Sequence, residues 1–341
     1  MRRGVLVGLL IALGLGLFVG VFLLAGPGAV WAQVKSLGPW GFAAMLAGDL
    51  TAAALWMTSW GILLRSQGIR TPWSGIAGAA LSGFAISYIT PVAYVGGEPV
   101  RAWLISRSAG RPLTAVYATI LVDRLLAGLS LVTFAVLGGM LALTGRLIPT
   151  PTKIKVAIGL TIVATAVGLG VLSFARNFHW LSRILEFAGR RHPGWRWLNA
   201  AAAVTHETEN DIHAAFSRHL PRTLLALLLQ LMSFLCSYLR PLLFFHFTRG
   251  VWFSVRELAV YFNLNAILTT ILWLTPAGVG TAEGGRVGIL HLVGIAPDGG
   301  VAFSLTIRSM ELLLVAAGLT YLVQRGLGQL VRTRKTDDLG A

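Results

Sequence analysis

Eight apolar runs divide this chain, near residues 4–25, 40–64, 73–95, 113–144, 154–175, 223–248, 256–275 and 301–324. Their lengths match the roughly 20 residues a helix needs to cross a bilayer core. Inside lipid a backbone must satisfy its own amides, and a helix does so within one segment. The chain is 55% hydrophobic and 12% charged, with a mean hydropathy of +0.74; a soluble domain carries about twice that charged fraction. The fold class that follows is an all-α polytopic membrane protein.

A formal charge of +15 invites comparison with nucleic-acid binders. The Lys and Arg residues, however, sit mostly in short segments between apolar runs, where they set topology and meet anionic headgroups. They form no basic face interleaved with stacking aromatics, so nucleic acid is not an expected partner. Cys236 is the only cysteine and lies in an apolar run, which excludes an intrachain disulfide and a thiolate metal cluster. Met1-Arg2-Arg3 and the run after it could be a signal peptide cut near Val30-Trp31-Ala32. That run exceeds the 7–15 residues usual for a signal peptide, so it reads as a retained first span.

Charge placement decides how many runs cross. With eight full spans and a cytoplasmic N-terminus, the segment 176–222 falls outside together with Arg176, Arg183, Arg190, Arg191, Arg196, Arg218 and Arg222. The positive-inside rule disfavours that. If segments 73–110 and 256–295 instead dip in and return, this loop, Arg65, Arg70, Arg107, Arg111 and the C-terminal basic residues all become cytoplasmic. The expectation is therefore about six full spans plus two re-entrant helical hairpins. These lie in a single membrane domain, 1–335, with a short basic tail at 326–341. Within it, 176–222 forms a cytoplasmic amphipathic segment whose Trp and Arg residues suit the headgroup boundary.

The two hairpins carry one signature. Pro91, Gly96, Gly97, Glu98 and Arg101 mark the first; Pro276, Gly278, Gly280, Glu283 and Arg286 mark the second. In each, glutamate follows proline by seven residues and arginine follows glutamate by three. A shift of 185 residues superposes the motifs and carries span 40–64 onto 225–249 and span 113–144 onto 298–329. The expected repeats, 4–144 and 154–325, enter the membrane from opposite sides. Paired helix breaks with charges at matching places are the mark of an inverted-repeat transporter.

Charges inside a membrane are costly unless they are paired or face water, and so are functional candidates. Glu98, Arg101, Glu283 and Arg286 are the first set: arginine as a planar fork for phosphate, glutamate as counter-charge or proton acceptor. Arg124 and Arg308, in the spans after the hairpins, are the second set, with Asp123 and Glu311 in support. Asp123 and Arg124 diverge by roughly 100° on a helix, so each needs its own partner. The cross-pairs expected are Arg124 with Glu98 and Arg308 with Glu283, and Arg308 also shares a face with Glu311. Asp49 stands without a counterpart in the second half and reads as structural. Gly278-Val279-Gly280 follows no strand and lacks a third glycine, which argues against a nucleotide loop.

Gly96-Gly97-Glu98-Pro99-Val100-Arg101, the Asp123-Arg124-Leu125-Leu126 run, Gly278-Val279-Gly280-Thr281-Ala282-Glu283 and the Arg308 span together resemble the lysylphosphatidylglycerol synthase transmembrane, or flippase-like, family. The resemblance implies movement of a lipid between leaflets, and covers roughly residues 5–325. After residue 325 only a short tail remains, so the aminoacyl transferase fused to some members is not expected here. The function expected is a lipid flippase in the bacterial cytoplasmic membrane, with both termini cytoplasmic and anionic headgroups as partners. Neither enzymatic activity, nor a metal, nor a cofactor is expected. The alternative is a non-transporting scaffold that docks a lipid-modifying enzyme through its Arg-rich loop.

Overall fold

The computed structural model describes residues 19–90, 96–144, 150–176, 178–191, 195–271 and 278–337. Pro91, Pro276 and most of the first expected span lie outside the described residues. All regular structure among the described residues is helical. After a short helical stretch at 19–24, the order is α1 Pro27–Ser66, α2 Trp73–Ile89, α3 Glu98–Ala109, α4 Leu113–Thr144, α5 Thr150–Ala175, α6 Trp180–Arg191 and α7 Arg196–Ser217. Then come α8 Leu220–Tyr238, α9 Arg240–Arg249, α10 Val255–Ile271, α11 Thr281–Leu292 and α12 Pro297–Asp337.

Among the described residues, four stretches are long and apolar enough to cross a membrane: Pro27–Ser66, Leu113–Leu141, Leu220–Arg249 and Pro297–Arg325. The first bends at Gly38, whose φ of 62° is open to glycine and whose successor, Pro39, cannot donate to the preceding turn. Helices α2 and α10 are each 17 residues long; α3 and α11 are each 12. At 1.5 Å per residue, α2 and α10 reach about 26 Å and α3 and α11 about 18 Å. The order of a long stretch, a 17-residue helix, a 12-residue helix and a long helix thus occurs twice, at the positions the 185-residue shift requires.

Two cores organise the bundle. One gathers Trp60, Leu64, Ile76, Ala79, Ile105, Val116 and Ile120 from α1 to α4. The other gathers Phe244, Phe245, Phe262, Leu290, Phe303 and Met310 from α9 to α12. Residues of the opposite half reach both. Val30, Leu37 and Met45 of α1 pack in the second core, while Tyr321 and Leu322 of α12 pack against the first.

Lipid supplies little hydrophobic drive between helices, so close backbone approach and hydroxyl bonds join them. Ser59 donates to the carbonyl of Ala226 at 2.9 Å and Ser233 to that of Ala52 at 2.8 Å, fastening α1 to α8. Ser82 donates to the Gly318 carbonyl at 3.0 Å, fastening α2 to α12. The tightest approach joins α2 to the start of α3. A Cβ on Gly97 would lie 1.8 Å from the Gly83 carbonyl oxygen, and the Gly97 N–H donates to Ser87 at 2.9 Å. Gly97→Ala must push two backbones apart and is expected to lower stability by about 1–3 kcal/mol, the usual cost of overpacking. Unfolding in mixed micelles measures it, and an unchanged midpoint would contradict the close approach.

The segment after α5 folds as a helical hairpin docked on the bundle. Glu209 of α7 accepts from Ser182 of α6 at 2.6 Å and meets His179 at 3.3 Å, and the rings of His179 and His206 stack at 4.3 Å. Ile212 and Ala215 of α7 pack on Ala118, Val122 and Leu126 of α4. Ile184 and Phe187 of α6, with Phe178 before it, remain exposed, an apolar face suited to a headgroup boundary.

Candidate functional site

The first charge cluster forms where α3 begins, immediately after the Gly96-Gly97 turn. Glu98 is the first residue of α3, and Arg101, one turn on, faces α4 and α1. Arg101 Nη2 donates to Asp123 Oδ2 at 3.0 Å, and neither side chain is more than 2% exposed. Two indoles of α1 close over that pair. The Arg101 guanidinium lies 4.0 Å from the Trp60 ring centre and 4.9 Å from that of Trp56, whose N–H also donates to Asp123 at 3.3 Å. Cation–π contact strengthens once water is excluded, which is the setting here.

On the neighbouring face of α4, Arg124 Nε donates to Glu98 Oε1 at 2.8 Å, and Nη2 donates to the same oxygen. The Arg124 side chain is 44% exposed, so this pair is the open edge of the cluster. Several valences stay unused within it: Glu98 Oε2, Arg101 Nε and Nη1, and Asp123 Oδ1 are buried without a hydrogen-bond partner among the described residues.

The second cluster repeats the plan with one change. Glu283, in the first turn of α11, caps its own helix by accepting from the Gly280 N–H at 2.7 Å. Arg308 of α12 donates to Glu283 Oε1 through Nε at 2.9 Å and through Nη2. Its Nη1 donates to the Tyr88 hydroxyl, and that hydroxyl donates to Glu311 Oε2 at 3.2 Å. Arg286 Nη2 stands 3.7 Å from Glu311 Oε1, and Arg286 Nη1 is buried without a hydrogen-bond partner among the described residues. Tyr88 ends α2, so the first hairpin reaches into the second cluster.

The sequence-derived site residues thus come together as two groups, Glu98–Arg101–Asp123–Arg124 and Glu283–Arg286–Arg308–Glu311. Both expected cross-pairs form, and Arg308 stands 4.0 Å from Glu311. Within each motif the glutamate and the arginine do not meet: Arg101 turns to Asp123 and Arg286 to Glu311. Asp49 is not isolated, because Arg240 Nε donates to its Oδ1 across α1 and α9. Sequence reasoning missed Arg240, Tyr88, Trp56 and Trp60. Arg240 was open to discovery as the basic residue inside an apolar run that Asp49 required. Trp56 and Trp60, one turn apart and both inside a span, were open to discovery as tryptophans away from the usual interfacial belt.

The Glu98–Arg124 edge opens onto a groove of 600 Å³ between α4 and α7, whose mainly apolar lining of Leu113, Tyr117, Leu121, Leu125 and Ile212 also holds Thr114, Thr205, Thr208, Glu209 and Arg124. This arrangement sets a guanidinium beside an apolar channel, next to buried charges that still have bonds to give.

Over residues 5–318 the chain matches the family described as lysylphosphatidylglycerol synthase TM region. A UPF0104 membrane protein of Methanothermobacter thermautotrophicus is 28% identical over 129 residues, a stretch that spans 38% of this chain and 38% of the archaeal protein. No solved structure matches the chain. With nearly its whole length matched, and with charged motifs built into a multi-pass helical bundle, the chain belongs to the lysylphosphatidylglycerol synthase TM region family of membrane proteins.

Proposed function

We propose that this protein is a lipid transporter that carries a phospholipid or glycolipid headgroup between leaflets through a polar path at mid-membrane. The observation that carries the reading is the groove at Arg124. Its apolar walls suit acyl chains, and its half-exposed guanidinium suits a phosphate at the point where the buried cluster begins. Arg124 receives the headgroup, Glu98 releases Arg124 from its present pair, and Arg101 lies further in behind the two indoles. Glu283, Arg286 and Arg308 form the corresponding half-site on the other side.

The proposed topology has six full spans and two re-entrant hairpins, α2–α3 and α10–α11, related as inverted repeats. Its support is the twice-repeated order of elements and helices of 12 residues, which are too short for a ~30 Å hydrocarbon core. Both termini then lie in the cytoplasm of a bacterium, and the Arg-rich α6–α7 hairpin rests on the cytoplasmic leaflet.

Leaflet exchange in reconstituted vesicles tests the function. Labelled phosphatidylglycerol, phosphatidylcholine, lysyl-phosphatidylglycerol and a glycolipid would be compared for the wild type and Arg124→Ala. Loss of a hydrogen bond to a charged group is worth about 1.5–3 kcal/mol, so the variant should exchange its preferred lipid roughly tenfold more slowly or worse. Exchange of no lipid, or exchange indifferent to Arg124, would overturn the reading and favour a scaffold that docks a lipid-modifying enzyme.

A further inference from the structure

We infer a second anion site, separate from the intramembrane clusters: a cleft at the end of the bundle that binds a phosphate group through Arg65, Arg70 and Arg222. The cleft measures 720 Å³ and lies between the last turns of α1, the α1–α2 connection and the first turns of α8. Its lining is three arginines, Thr71, Pro72 and two apolar side chains, Ile62 and Leu225, with no carboxylate among the described residues.

Like charges on neighbouring elements repel, and a chain that gathers three guanidiniums round one hollow gains from an anion placed between them. Five arginines within the bundle are met by acids: Arg101 by Asp123, Arg124 by Glu98, Arg240 by Asp49, Arg249 by Asp298 and Arg308 by Glu283. Arg65, Arg70 and Arg222 have no such ion pair among the described residues.

Thr71 is the second, independent observation. It is 8% exposed, and its hydroxyl is buried without a hydrogen-bond partner among the described residues, an arrangement that costs free energy unless a ligand or water completes it. Its methyl group is committed to Gly75, where a Cβ would come within 2.8 Å. Pro72 follows it in extended conformation, with φ −62° and ψ 152°, and disfavours helical geometry at Thr71. The residue therefore lines the cleft with a buried hydroxyl that has no hydrogen-bond partner among the described residues. Guanidinium forks and a threonine hydroxyl are the donor set of a phosphate site, and Leu225, 48% exposed, gives an attached glycerol backbone an apolar neighbour.

The phosphate belongs either to an anionic phospholipid or to a soluble phosphate, and the test separates the two. Full-length protein in phosphatidylcholine nanodiscs would be titrated with short-chain phosphatidylglycerol and, separately, with inorganic phosphate. Wild type and the Arg65→Gln/Arg70→Gln/Arg222→Gln triple variant would be compared, with Thr71→Val as a near-isosteric change that removes only the hydroxyl. Phosphatidylglycerol affinity should fall tenfold or more in the triple variant and severalfold in Thr71→Val. If inorganic phosphate competes at similar concentration, the phosphate alone is recognised; if it does not, the lipid is the ligand. Equal phosphatidylglycerol affinity in wild type and Thr71→Val, with no response to inorganic phosphate, would overturn the site even if the triple variant failed to fold.

Discussion

Arg101→Ala should destabilise the protein by about 3–5 kcal/mol, the cost of stranding one member of a buried ion pair. Asp123 would be left 1% exposed, beneath Trp56 and Trp60, with only an indole N–H at 3.3 Å for company. The size of the effect comes from the stranded carboxylate rather than from any large net worth of the pair. Replacing both partners by apolar residues of similar volume, Arg101→Met with Asp123→Leu, should therefore recover most of the loss, since well-packed apolar substitutes for buried pairs are often neutral. Reversible unfolding in mixed micelles gives the double-mutant cycle. If the double variant were as unstable as Arg101→Ala, the stranded-charge account would be wrong and the indole stacking would be the dominant contribution.

The second large effect is expected at Arg308, whose guanidinium engages Glu283, Tyr88 and Glu311 together. Arg308→Ala should also cost about 3–5 kcal/mol, because Glu283 is 2% exposed and would keep only its own helix cap. Tyr88→Phe removes one hydroxyl that bonds two charged groups and should cost about 1.5–3 kcal/mol. What distinguishes these variants from Arg101→Ala is where the looseness appears. Hydrogen exchange should quicken at the end of α2 in both, whereas Arg101→Ala should quicken it at the start of α3. Unchanged protection of α2 in Tyr88→Phe would show that the hydroxyl contact between the halves carries no weight.

Why the partners of Arg124 and Arg308 could be read in advance, and those of Arg101 and Asp49 could not, follows from the physics of charge in lipid. The cost of an uncompensated charge obliges a partner to exist, and the duplication restricts the choices to corresponding places. Arg124 with Glu98 and Arg308 with Glu283 met both conditions. Asp49 met only the first: its partner, Arg240, has a leucine at the corresponding place in the other half, so the repeat offers no guidance. Arg101 had two acids within plausible reach, and the choice of Asp123 depends on how α3 rotates against α4. That rotation is set by the Gly83–Gly97 approach, a contact between backbones that side-chain pattern does not encode. The crossing of Tyr88 into the opposite cluster is hidden for the same reason. These helices are apolar on most faces, so periodicity does not say which face meets which neighbour.

The sharing of α1 and α12 between the two cores bears on how the protein is made. Domains ordinarily fold in order of synthesis, the N-terminal one first. Here the cover that Tyr321 and Leu322 give the first core comes almost at the end of the chain. The N-terminal part of α1 must likewise wait for Phe244, Phe245 and Phe303. During translation Glu98, Arg101, Asp123 and Arg124 can pair among themselves once α4 is made, whereas Tyr88 at the end of α2 must wait for Arg308 and Glu311. Biogenesis of such a chain therefore leaves the end of α2 without its polar partners until the last helix is in place.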